Sequence, residues 1–143
     1  MFNSKALLTS TLAVVLVSFA AALASIAAAT PVGPVTETPV TVTVCSGGVG
    51  VGCAGVPTVS DTCINLTGGL SFLNKEISTA LVPGGMICTF FQDFGCTASG
   101  VVNAGTDSQV FLGQGTWNLA KAPGLSGITN FNDLTSSFTC SPI

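Results

Sequence analysis

Apolar and polar residues alternate without a break at Val40-Thr41-Val42-Thr43-Val44-Cys45. A period of two predicts a β-strand with one buried face. Gly47, Gly48, Gly50 and Gly52 follow, so the chain turns back through a flexible hairpin-like connection into Cys53. Thr62–Leu66 predicts a second short strand, and Ile77–Val82 a third, ended by Pro83-Gly84-Gly85. Met86–Phe91 opens a second half with an apolar strand, and Gln92-Asp93-Phe94-Gly95 turns the chain into Cys96. Ser99–Ser108 is polar and reads as loop. Gln109–Leu112 and Thr116–Leu119 read as strands around Gly113-Gln114-Gly115, Lys121–Gly127 as loop, and Thr135–Cys140 as the last strand.

The residues before Val40 follow other patterns. Lys5 precedes a long run of small apolar residues, Ala6–Ala29, which has the form of a secretory signal peptide. Small-x-small sites place cleavage after Ala24 or Ala29. The run is long enough to span a bilayer at about 20 residues. Cleavage is the reading adopted, because alanine favours the membrane only weakly and six cysteines follow. Residues 30–39 are rich in Pro and Thr and predict an extended linker. The folded domain is then 40–143.

Two halves are visible in the spacing. Cys45 and Cys53 are eight residues apart, as are Cys88 and Cys96, and the pairs are offset by 43. Asn-led segments at Asn74 and Asn132 are offset by 58, which puts about 15 extra residues into the second half, in Ser99–Ser108 and Lys121–Gly127. Two copies of about four strands predict a duplicated antiparallel unit, packed as a sandwich with Trp117 as a core anchor.

Composition narrows the chemistry. The chain has 143 residues, no His, no Tyr and no Arg. Without Lys5, two lysines face six acidic residues, a net charge of −4. That balance gives no footing for a nucleic-acid partner, nor for a membrane surface once the signal is removed. The absence of His removes imidazole catalysis and imidazole metal ligation. Six cysteines behind a targeting segment predict disulfides and a secreted, extracellular protein, so no nucleophilic thiol is expected. Asp93, Asp107, Asp133 and Glu76 could form a carboxylate pair as in glycosidases, but no cleft signature, no Tyr and no aromatic sugar platform beyond Trp117 accompany them. The chain is read as a non-enzyme and a monomer. Asn65-Leu66-Thr67 is an N-glycosylation sequon, which places Asn65 at the surface.

Asn132-Asp133-Leu134-Thr135-Ser136-Ser137 runs from a loop rich in side-chain oxygens into the last strand. It matches the βγ-crystallin calcium signature: two Asn/Asp, any two residues, Ser or Thr, then Ser. Asn74-Lys75-Glu76-Ile77-Ser78-Thr79 is a second copy that departs from it at Lys75 and Thr79. With the strand pattern, Val40–Cys140 resembles a βγ-crystallin domain. The resemblance implies an all-β fold of two Greek-key motifs in one sandwich. It also implies calcium shared between the motifs, with Asn132, Asp133 and Ser136 on one side and Asn74, Glu76 and Ser78 on the other. Lys75 is expected to weaken the nearer site, and no cofactor is required for folding. Six cysteines allow 15 connectivities. The repeat suggests Cys45–Cys53 and Cys88–Cys96, which leaves Cys63 for Cys140. In the resembled fold those two would lie on neighbouring strands.

The whole chain also resembles small cysteine-containing secreted proteins of basidiomycete fungi. Cys88-Thr89-Phe90-Phe91-Gln92-Asp93-Phe94-Gly95-Cys96 and Phe131–Phe138 carry that likeness. It implies an effector-like protein that recognises a protein or cell-surface target and regulates fungal growth, development or secreted-enzyme programmes. A calcium-binding structural extracellular module and a secreted toxin or protease inhibitor are the alternatives.

Overall fold

The computed structural model describes residues 38–99, 107–125 and 127–143. The expected signal peptide at 1–29 and the expected linker up to residue 37 lie outside the described residues.

Among the described residues ten strands follow in order: β1 Val40–Cys45, β2 Cys53–Thr58, β3 Ile64–Asn65, β4 Thr79–Val82, β5 Met86–Phe91, β6 Gln109–Leu112, β7 Gly115–Asn118, β8 Ala122–Gly124, β9 Gly127–Thr129 and β10 Ser137–Pro142. One sheet has the order β2-β1-β4-β7 and the other β3-β10-β5-β6, all neighbours antiparallel. Each motif therefore keeps three strands in its own sheet and lends its third to the other. β3 crosses to the second sheet and β7 to the first. These are two interlocked Greek keys, the βγ-crystallin-like sandwich.

Alternation builds the core. In β1, Val42 and Val44 are fully buried, while Thr41 is exposed. In β5, Cys88 and Phe90 are buried between exposed Ile87 and half-buried Thr89. Phe90 stacks on Phe138 of β10 with ring centroids 5.1 Å apart, and Phe131 completes the aromatic centre. Such a stacked pair contributes about 0.5–1.5 kcal/mol beyond its buried area. Trp117, expected at the centre, is instead half-buried at the edge of the core, its Nε1 donating to the Gly113 carbonyl at 2.7 Å. An indole needs a partner for its N–H, and the edge supplies one.

The bridges correct two of the three expected pairs. Cys45–Cys53 is present, but Cys63 is joined to Cys96 and Cys88 to Cys140. The cause is register. β1 begins at Val40 and β5 at Met86, an offset of 46 rather than 43. Cys45 closes β1 as Phe91 closes β5, so Cys88 sits three residues inside its strand, directly opposite Cys140. Cys45 and Cys53 also face each other across their ladder. Directly opposed Cβ atoms lie within disulfide reach. Cys96 lies in the long β5–β6 connection, where it meets the chain just before β3.

The extra residues of the second half do fall between β5 and β6 and between β7 and β10. Within the latter, Ala122–Gly124 and Gly127–Thr129 pair as a short ribbon where only loop was expected. Residues 100–106 of the former lie outside the described residues.

Candidate functional site

The two Asn-led segments meet at one end of the sandwich through a set of paired backbone bonds. Lys75 N donates to Thr135 O at 2.8 Å, and Asp133 N to Ile77 O at 3.2 Å. Ser78 N donates to Cys45 O and Ser136 N to Phe91 O, each at 2.9 Å. Leu119 N donates to Ser78 O at 3.0 Å and Leu66 N to Ser136 O at 2.9 Å. Each bond of one motif has its counterpart in the other, with Lys75 matching Asp133 and Ser78 matching Ser136. Lys75 (φ 61°) and Asp133 (φ 57°) also share the left-handed conformation. That backbone aims both side chains across the motif boundary. It is common for Asp and uncommon for Lys.

On the Asp133 side, one hydroxyl links two other oxygens. Ser78 Oγ lies 3.2 Å from Ser46 O and 3.5 Å from Asp133 Oδ1. Asn132 Nδ2 donates to Asp133 Oδ2 at 2.6 Å and fixes the carboxylate. Asn130 Oδ1 in turn accepts from Asn132 N at 3.1 Å. On the Lys75 side, the backbone bonds are the same and the chemistry is not. Lys75 Nζ donates to Leu134 O at 2.8 Å and to Gln92 O. Burial pushes this ammonium below the usual lysine value, and the Asp93 carboxylate opposes that shift.

Among the six residues expected to ligate calcium, Ser78 and Asp133 are brought together, and Asn132 supports Asp133. Ser136 is buried beneath the loop, and Glu76 is exposed with its amide bonded to Leu73 O. Asn74 Oδ1 is buried without a donor among the described residues. The donor set at Ser78, Ser46 and Asp133 is all oxygen with one carboxylate, which suits a hard cation such as Ca²⁺. No group of three or more His, Cys, Asp or Glu that suits a metal occurs among the described residues.

Sequence reasoning missed the backbone carbonyls of Ser46, Gln92 and Leu134. Every residue carries a carbonyl, so no letter marks them. The usable signal was position: Ser46 and Gln92 each follow the last residue of the first strand of a motif.

Asn65 is exposed on β3, and its Oδ1 accepts from Gly95 N at 2.7 Å. The Gly47–Gly52 stretch forms the β1–β2 hairpin, with Ser46 N donating to Gly52 O at 3.1 Å and Gly50 and Gly52 at positive φ. Among the described residues, no helix is long and apolar enough to cross a membrane. All six cysteines are bridged, which fits an oxidising compartment.

No protein-family model matches this chain, and no curated protein matches it. Among solved structures, the crystal structure of the N-terminal domain of protein S is similar to it, with 15% sequence identity and a TM-score of 0.46. The match covers 73% of this chain and 98% of that one.

Proposed function

We propose that this protein is a secreted, non-enzymatic module that acts by surface recognition, and that one calcium ion held between its two motifs stiffens it. The observation that carries the calcium reading is the placement of Ser78 Oγ between Ser46 O and Asp133 Oδ1. In this reading Asp133 supplies the charge, Ser78 a hydroxyl and Ser46 a carbonyl. Glu76 adds a carbonyl, as the counterpart of Leu134, and water completes the six to eight oxygens that Ca²⁺ takes. When bound, the ion neutralises Asp133 and ties the first hairpin to the second motif. One carboxylate makes a weak site, with a Kd on the order of 10⁻⁴ M as in other extracellular modules. Calorimetric titration of wild type and Asp133→Ala tests it. One ion per wild-type chain and none in the variant is the expected result; no heat in either removes calcium from the account.

The recognition part rests on the first hairpin. Val49 and Val51 are each 62% exposed at a tip whose base is clamped by Cys45–Cys53. Exposed apolar side chains at the tip of a hairpin clamped at its base suit contact with a protein or cell-surface target. The effector-like role, in fungal growth, development or secreted-enzyme programmes, is the reading this supports. Gene deletion set against overexpression discriminates it. Altered growth or secreted-enzyme output supports it, whereas loss of neighbour killing or of protease inhibition points to a toxin or inhibitor.

A further inference from the structure

We infer that the Lys75 ammonium is a built-in cation, occupying the pseudo-equivalent of the Ser78–Asp133 site and closing it to metal. The inference rests on the calcium reading only for the identity of the ion that the ammonium replaces.

The matched backbone bonds define the equivalence. Ser46 and Gln92 each follow the last residue of β1 or β5, and Cys45 and Phe91 accept from Ser78 N and Ser136 N. Glu76 corresponds to Leu134, and Lys75 to Asp133. On one side an aspartate reaches over to the Ser78 hydroxyl, which itself bonds the Ser46 carbonyl. On the other, a lysine reaches over to the Gln92 and Leu134 carbonyls. Two carbonyls converging on one point need a positive partner, because their dipoles repel each other. The –NH₃⁺ group is a compact charge with three donors. It meets that need in the way a metal ion would, but it is covalently attached to the opposite motif. The two halves of one duplicated site thus take different cations: a soluble one held by Asp133 and a tethered one supplied by Lys75. The tethered cation is always present, so this side of the motif boundary stays crosslinked when calcium is scarce.

Two variants test this. Lys75→Met keeps an unbranched stem and the backbone strain and removes the charge together with its donors to the Gln92 and Leu134 carbonyls. In excess EDTA it is expected to melt roughly 4–8 °C below wild type, the shift for a modest loss in a domain of this size. Lys75→Asn restores a side-chain oxygen and tolerates positive φ. It is expected to bind two calcium ions per chain where wild type binds one, and to regain its melting temperature only with calcium. A Lys75→Met melt equal to wild type in EDTA overturns the inference, as does an unchanged stoichiometry in Lys75→Asn. A wild type that takes no calcium refutes the Ser78–Asp133 reading instead, and the Lys75→Met melt then decides the ammonium's role by itself.

Discussion

Ser137 shows how much one hydroxyl can hold. It is fully buried at the start of β10. Its Oγ donates to Asp93 O at 2.6 Å and accepts from Cys96 N at 2.9 Å. These two bonds pin the β5–β6 connection onto the sandwich beside the Cys63–Cys96 bridge. Ser137→Ala leaves a backbone N–H and a backbone C=O without that partner, at a cost of about 1–3 kcal/mol. Urea unfolding measures it, and a change below about 0.5 kcal/mol would mean that water replaces both bonds. The run Thr135-Ser136-Ser137 was legible as a set of oxygens, but not in its division of labour. Ser136, expected to ligate calcium, and Ser137 are both buried, and Ser137 carries the bonds to the β5–β6 connection. The letter Ser is the same in each case, and only the strand's phase separates them. Lys75 was read as a charge that repels calcium. Its reach to two carbonyls depends on a left-handed backbone that no sequence pattern announces.

At the scale of elements, alternation and apolar runs located β1 and β5 to the residue and β6 likewise. Burial drives those strands, and burial has a period that can be read. β8 and β9 were not legible because Pro123 and Gly124 argue against a strand. They pair as a short ribbon on the way from β7 to β10, not as a buried strand. The disulfides were misread for a related reason. Equal Cys spacing was taken as equal structural position, although the β5–β6 connection is far longer than the β1–β2 hairpin. The corrected pairs carry a ranking. In the chain-entropy model, Cys88–Cys140 closes 52 residues and Cys45–Cys53 closes eight. Removing the first bridge, by Cys88→Ala with Cys140→Ala, should cost about 4 kcal/mol, and removing the second about 2.5 kcal/mol. Peptide mapping gives the connectivity and denaturant midpoints give the order. Equal midpoints for the two variants would show that native packing, not chain entropy, dominates.

The whole molecule is two near-copies locked at one end by matched backbone bonds and distinguished there by one aspartate and one lysine. Under the calcium proposal, that asymmetry decides which parts of the fold the ion would grip. Ser46, a carbonyl donor of the Asp133 side, directly follows Cys45, and Cys45 O accepts from Ser78 N. The Cys45–Cys53 bridge therefore fixes the hairpin end that the ion would grip. Cys88–Cys140 lies inside the β5–β10 ladder, three residues down β5 from Phe91. In the proposed site calcium would act on the folded state alone: at 1 mM and a Kd near 10⁻⁴ M it would add about 1.4 kcal/mol. A disulfide acts mainly on the unfolded state, so the two contributions should add wherever the sites share no partner. They share one only at the first hairpin. Calcium titration of the two bridge-deleted variants at low temperature, where both remain folded, separates the cases. Loss of Cys45–Cys53 should weaken calcium binding, because the Ser46 carbonyl is no longer held in place before the ion arrives. Loss of Cys88–Cys140 should leave the affinity within about twofold of wild type while lowering stability more. The reverse order of affinities would place the ion in the second motif, on the side held here by Lys75, and would overturn the assignment of Asp133 as its ligand.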